Sequence, residues 1–427
     1  MTIPLNRLYH YLDSLCNEDI IIYRWDPHGS KKIHDLGPYK HIATNIGYQV
    51  EDLIKLIITP TMICHDQEPL DFGYYSESYV LDFLSSQTFF GTPIGHEFFK
   101  KQSSRNLSAV SSLFSIYDYT LLCHSEKNSK QLELYEKNYF VGVYYWSHAL
   151  IAKDWFRFAE HDDSLTLEPS EIKYDFLIYN RAWSGTREYR LKFAEMLIET
   201  DNLIDSCNIK FNAEDNNINY KDHVFKNKQL QIQNTKLEYS ILQNTSPSWA
   251  SADYNGDDYK QCAVEVVLET IFDDNRNHLT EKTLRPIACG KPFILTSSPN
   301  SLAYLRQYGF KTFDGLIDES YDIIEDPVDR LFAIVSEMKR IAELPYQDKI
   351  CLLRQLYQIA DYNKQHFFSS QFHNFVIKEF IENFHKGLDK VKNTKNKTWY
   401  NMFKNCDTLQ SSEEFQITLA SVESLIN

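Results

Sequence analysis

Short apolar runs alternate with polar loops and helical stretches along most of the chain. Asp19–Trp25 (DIIIYRW), Pro60–Asp66 (PTMICHD), Tyr117–Cys123 (YDYTLLC) and Phe140–Trp146 (FVGVYYW) are short and rich in β-branched and aromatic residues, so they predict strands. Tyr48–Ile58 groups Leu53, Ile54, Leu56 and Ile57 and predicts a helix, and Ser125 caps another to about Tyr135. The pattern then resumes. Tyr174–Tyr179 predicts a strand, followed by a helix capped by Thr186 with Tyr189, Phe193, Met196 and Leu197 at helical spacing. Val264–Leu268 and Pro292–Thr296 predict two more strands around a helix opened by Thr280 and stopped by Gly290. Pro286 falls inside that helix and should kink or shorten it. Asn300–Tyr308 predicts a helix, Phe310–Phe313 a short strand, and Asp326–Leu344 and 348–390 long helices. Strands alternating with helices predict an α/β fold with parallel sheets.

The length of 427 residues suggests two domains. The polar stretch His161–Ile172 (HDDSLTLEPSEI) lacks periodicity and reads as a linker. The expected organisation is an N-terminal α/β domain over 1–160, a linker over 161–173, a second α/β domain over 174–345, and a C-terminal helical segment over 346–427. The net charge of −15 argues against a constitutive, charge-driven nucleic-acid binder, though a local basic groove stays open. Near the end, KVKNTKNK (390–397) reads either as an anionic-partner contact or as a solvated surface. The 8 cysteines lie far apart without a CxxC pair, which reads as reduced core thiols of a cytoplasmic protein. No apolar run approaches the ~20 residues of a membrane span, and the first residues lack a signal-peptide pattern. The pairs Asp162-Asp163, Asp257-Asp258 and Asp273-Asp274 do not form the Asp-X-Asp of a metal-dependent transferase, so no essential metal is expected. The oligomeric state is open.

In parallel sheets, ligands sit beyond the carboxyl ends of the strands. Glu269 and Thr280-Glu281-Lys282 fall on such a rim. Thr280 is a good N-cap, and the helix start offers N–H groups and partial positive charge to a phosphate. Lys282 adds a full charge, and Glu281 can accept from a ribose diol. This set suits a nucleoside diphosphate; the alternative is a capped helix with a solvated Glu–Lys pair. Arg187, with Arg181 in reserve, follows the Tyr174 strand beside Gly185 and can grip a diphosphate bidentately. In the first half, His65, Asp66 and Glu68 cluster at a strand exit. Asp66 or Glu68 can act as the general base for an acceptor hydroxyl, or can satisfy turn N–H groups instead. His124 and His148 also follow strands and could line an acceptor site or serve structure.

The segment Val264–Phe293 resembles the donor-site motif of α1,3-fucosyltransferases. In that family a Phe-Glu-Asn element precedes an aromatic-X-Thr-Glu-Lys element and a Gly-X-X-Pro strand. Glu269 stands at the first Glu, Thr270 replaces the Asn, and His278 stands where Tyr is usual. Thr280, Glu281 and Lys282 match directly. The resemblance implies two Rossmann-like domains facing across a cleft (GT-B), with Glu281 and Lys282 holding ribose and phosphates and Arg187 on the diphosphate. It also implies inverting transfer from a nucleotide-sugar donor, UDP- or GDP-linked, with an acidic residue near Glu68 as base. HDQEPLDF (65–72) and the Thr-Glu-Lys stretch also look like segments of phage glycosyltransferases, some of which decorate hydroxymethylated DNA bases. The acceptor is therefore a glycan, a small molecule or modified DNA. Two other classes stay open: a noncatalytic nucleotide-sugar or glycan-binding protein, and a structural interaction protein.

Overall fold

The computed structural model describes residues 2–25, 33–35, 59–70, 117, 119–137, 140–165, 172–234, 236–237, 252–394, 420 and 423. The helix expected at 48–58, residues 71–72 and the basic positions 395–397 lie outside these. The chain divides into two compact units. One comprises Leu5–Ser147 with Ile377–Asn427, and the other Met1–Pro4 with His148–Val376. The divisions fall at Ser147/His148 and Val376/Ile377.

The N-terminal unit opens with α1 (Leu5–Cys16), whose Leu8, Tyr9, Leu12 and Cys16 share one buried face. Strands β1 (Ile21–Trp25), β2 (Ile33–Asp35), β3 (Thr61–Cys64), β4 (Thr120–His124) and β5 (Phe140–Tyr144) follow, with α2 (Lys130–Lys137) before β5. They form one sheet in the order β2-β1-β3-β4-β5. Only the β1–β2 pair is antiparallel. Gly142 lets β5 approach its neighbours, since a Cβ there would lie 2.9 Å from His124 Nε2.

Helix α3 (Ser147–Trp155) takes up the stretch read as a strand-exit loop, so His148 lies in a helical first turn. The central unit then builds β6 (Tyr174–Asn180), α4 (Tyr189–Glu199), β7 (Cys207–Phe211), the hairpin β8 (Glu214–Asp215) and β9 (Ile218–Asn219), and α5 (Gly256–Gln261). Next come β10 (Cys262–Leu268), α6 (Glu281–Ala288), β11 (Phe293–Thr296) and α7 (Ser301–Gln307). Helices α8 (Pro327–Ala342), α9 (Tyr346–Phe368) and α10 (Ser370–Lys392) complete the described chain. The single helical run expected at 348–390 is two helices broken at Ser369, whose hydroxyl caps the second by accepting from Phe372 N–H at 3.1 Å. No described helix is long and apolar enough to cross a membrane.

The central sheet has the order β11-β10-β6-β7, all parallel. Every residue of β10 is buried, as its nearly continuous apolar run requires of an inner strand. The one charge within it, Glu265, is paired with Arg285 and accepts from the Tyr259 hydroxyl. The expected strand Phe310–Phe313 does not form. Asn363 instead takes both backbone groups of Lys311, and Glu319 takes the Phe313 N–H, so side chains replace a ladder.

Candidate functional site

Strand order in the central sheet reverses between β6 and β10. From β6 the chain moves outward to β7, then returns to place β10 and β11 on the other side. Such a reversal leaves a crevice beyond the carboxyl ends of the two strands, which here are Asn180 and Leu268. The loops that leave these strands carry Arg181, Arg187, Glu269 and the Thr280-Glu281-Lys282 turn. Side chains from α4 join them. Arg190 donates to the carbonyls of Ala182, Leu268 and Glu269 at 2.6–2.9 Å, so one guanidinium bridges the two strand ends. Tyr189 Oη donates to Glu269 O at 2.6 Å, and Thr186 Oγ1 to Thr270 O at 2.7 Å. The 269–279 loop is fixed further on. Phe272 is stacked on Tyr189 at 4.2 Å with Arg330 over its ring at 4.2 Å.

Glu269 is fully buried and turned toward the start of α6. Its carboxylate accepts from Thr280 N–H (2.9 Å), Thr280 Oγ1 (2.8 Å), Thr283 N–H (3.2 Å), Thr283 Oγ1 (2.6 Å) and Thr270 N–H (3.0 Å). The helix-start N–H groups expected to meet a phosphate are thus met, at Thr280 and Thr283, by a carboxylate of the chain itself. Glu269 anchors the helix that carries Glu281 and Lys282. Thr280 caps it as expected, its hydroxyl accepting from Lys282 N–H. Pro286 lies inside this short helix, which ends at Ala288. Gly290 then turns left-handed (φ +66°), with Gly290 N–H on Ile287 O and Lys291 N–H on Pro286 O.

Lys282 Nζ donates to Thr270 Oγ1 (3.2 Å), Thr280 Oγ1 (3.1 Å) and Glu281 Oε1 (2.9 Å). The second oxygen of Glu281 lies 3.5 Å from His148 Nδ1. His148 in turn meets His278 edge-to-face at 5.3 Å, and both rings are buried. His148, expected on the acceptor side, therefore lies against the Thr280-Glu281-Lys282 turn. Burial raises the Glu281 pKa, but the Lys282 charge and His148 outweigh it and hold the carboxyl well below its ordinary range.

Arg181 is half-buried at the exit of β6. Burial lowers its pKa; Glu281 opposes that, and repulsion from Arg190 and Arg285 adds to it. Arg181 and Glu281 thus share one electrostatic neighbourhood. Arg187 donates from Nε to Ser184 O at 3.2 Å and helps shape the same loop. The loop is also held by Asp215, which accepts from Trp183 N–H and Ser184 N–H.

The N-terminal unit places Asp66 at the exit of β3, where it is buried. Its Oδ1 accepts from Tyr9 Oη at 2.8 Å and its Oδ2 from Tyr145 Oη, while its carbonyl accepts from Ser125 and Ser147. Asp66 thereby ties α1, β3 and the ends of β4 and β5 together. Glu68 lies half-buried in the bend that follows. Glu126 holds that bend, since its Oε1 accepts from Leu70 N–H at 2.8 Å. Burial lowers the pKa of His65 to about 3 and of His124 to about 4, so both rings are neutral near pH 7. His65 Nε2 donates to Pro69 O, and His124 Nδ1 accepts from Glu126 N–H.

Arg190, Asp215, Tyr9, Tyr145 and Glu126 are absent from the sequence-derived set. Each acts through a partner 8 to 79 positions away, such as Arg190 to Ala182 and Tyr145 to Asp66, and no local spacing marks them. Among the described residues, no group of three or more His, Cys, Asp or Glu could hold a metal ion. Comparison of the chain with protein-family models, with curated proteins and with solved structures found no match.

Proposed function

We propose that the protein is a glycosyltransferase that moves a sugar from a UDP- or GDP-linked donor to an acceptor hydroxyl without a metal, with inversion. One observation carries the donor side: Arg181 and Arg187 follow β6, and Glu281 and Lys282 open α6 after β10, beyond the two strands where the strand order reverses. Positive side chains there supply the charge that stabilises a departing diphosphate in other enzymes through a cation. Lys282 and Arg187 take the diphosphate, Arg181 assists, and Glu281 accepts from the ribose diol. Lys282 Nζ exchanges its threonine contacts for phosphoryl oxygens, and Glu269 and Thr280 hold the helix in place. His278 and His148 back Glu281.

The reading follows the GT-B plan of two Rossmann-like domains, the central unit for the donor and the N-terminal unit for the acceptor. Glu68 is the favoured general base and Asp66, which accepts from Tyr9 and Tyr145, is kept in reserve. The acceptor is a glycan, a small molecule or a hydroxymethylated DNA base. Release of UDP or GDP from sugar conjugates in EDTA tests the proposal. Glu68→Gln should lower acceptor-dependent release by roughly the hundredfold typical of a lost general base. Release equal to wild type in both Glu68→Gln and Asp66→Asn would remove the base assignment. The engagement of Asp66 by Tyr9 and Tyr145 also favours a second reading, a nucleotide-sugar-binding protein without transfer. Under it the donor binds, and no acceptor stimulates release.

A further inference from the structure

Two places beyond β6 and β10 offer backbone N–H groups to an anion, and a carboxylate of this chain occupies each. At the start of α6 the occupant is Glu269, fully buried with five donors. At the loop after β6 it is Asp215, whose Oδ2 accepts from Trp183 N–H at 2.9 Å and Ser184 N–H at 2.7 Å.

The two occupants differ. Glu269 sits in the interior on the loop it organises, whereas Asp215 is half-exposed and hangs from a hairpin. That hairpin, β8–β9, forms a sheet only with itself. Its turn residues Asn216 and Asn217 are both left-handed (φ 51° and 63°), as a two-residue hairpin turn requires. Asn216 Nδ2 donates to Ser184 Oγ at 2.8 Å, on the exposed side of the same loop. The chain uses carboxylates on paired N–H groups elsewhere: Glu188 takes those of Lys226 and Asn227, and Glu195 those of Gln233 and Asn234. Both of those carboxylates are buried, Glu195 within the regular helix α4 and Glu188 at its N-cap. Asp215 alone of the three is partly open to water, and it feels the charges of Arg187 and Arg181.

We infer that the Trp183–Ser184 N–H pair is a phosphoryl subsite, which the Asp215 carboxylate fills in the resting protein as an internal competitor. The inference rests on the nucleotide-sugar reading above. A diphosphate brings more charge to Arg181 and Arg187 than a carboxylate does, and its oxygens accept in the same geometry. It replaces Asp215 on the two N–H groups, and the β8–β9 hairpin moves aside. No strand of the main sheet is disturbed, because the hairpin pairs with none.

The test is calorimetric titration of the full chain with inorganic pyrophosphate, UDP and GDP, for wild type, Asp215→Ala and Asp215→Asn. Removing the competitor in Asp215→Ala should tighten pyrophosphate and nucleotide binding roughly tenfold, the size of one charge-assisted hydrogen bond no longer displaced. Asp215→Asn, which keeps an acceptor oxygen without the charge, should fall between the two. It decides the matter if the alanine variant does not fold. Binding unchanged or weakened in the folded variants overturns this inference and leaves the nucleotide reading intact. Absence of binding in all three proteins overturns both.

Discussion

Replacing Glu269 by alanine removes the acceptor on which the start of α6 is built. The side chain is fully buried, and its carboxylate takes three backbone N–H groups, of Thr270, Thr280 and Thr283. It also takes the hydroxyls of Thr280 and Thr283. The hydroxyls can rotate to other acceptors, but the N–H groups cannot. A buried donor left without an acceptor costs about 1–3 kcal/mol. With a water reaching one of the three, the expected loss is about 3–5 kcal/mol, within the range seen when a buried charged partner is removed. Glu269→Gln keeps one oxygen but turns an NH2 group toward donors, so about 1–3 kcal/mol is expected. Urea unfolding gives the size, read as the midpoint change multiplied by the slope for the transition that includes the central unit. Hydrogen exchange over 269–290 locates it. A change below about 0.5 kcal/mol in Glu269→Ala, the size of an ordinary surface substitution, would refute the anchoring role. Coupled with lost nucleotide binding, it would return Glu269 to direct contact with the donor.

Gly290 holds a left-handed conformation where a Cβ would lie 3.2 Å from Lys364 Cδ. Gly290→Ala should cost about 1–2 kcal/mol, mainly from backbone strain since the lysine can move; an unchanged unfolding midpoint would contradict that. Lys291 is buried with no hydrogen-bond partner for Nζ among the described residues, and burial lowers its pKa to about 8. Below pH 8 the folded protein keeps that charge out of water, and between about pH 8 and 10.4 the unfolded chain binds the extra proton, so stability rises with pH across that window. Lys291→Met should therefore stabilise the protein by about 3 kcal/mol at pH 7, with the gain fading by pH 10. An equal gain at both pH values, or a loss at pH 7, would contradict this account.

The α/β class was legible because strand and helix periods alternate cleanly around β6, β10 and β11, and because buried strands read as apolar runs. The rim residues followed from that alternation, since Arg181 and Glu281 stand directly after a strand and at a helix start. What the local pattern did not reveal is which polar groups serve the fold. Glu269 and Asp66 look like ligands or bases in sequence, and only their hydrogen-bond partners in the fold reveal their tasks. Asp66 depends on Tyr9 and Tyr145, which lie 57 and 79 positions away. The strand exit before His148 points it to an acceptor site, but the first turn of α3 brings it to Glu281. Phe310–Phe313 has strand composition, yet Asn363 of α9 takes both backbone groups of Lys311 and Glu319 takes the Phe313 N–H, which composition cannot foresee.

The most direct test of the donor site is calorimetry with UDP and with GDP in EDTA, on wild type, Lys282→Ala and Arg187→Ala. One of the two nucleotides should bind wild type without a metal. Each substitution should weaken that binding about tenfold, or about 1.4 kcal/mol. Failure of both nucleotides to bind, or wild-type affinity in both variants, would contradict the assignment of the β6/β10 loops as a nucleotide-sugar site.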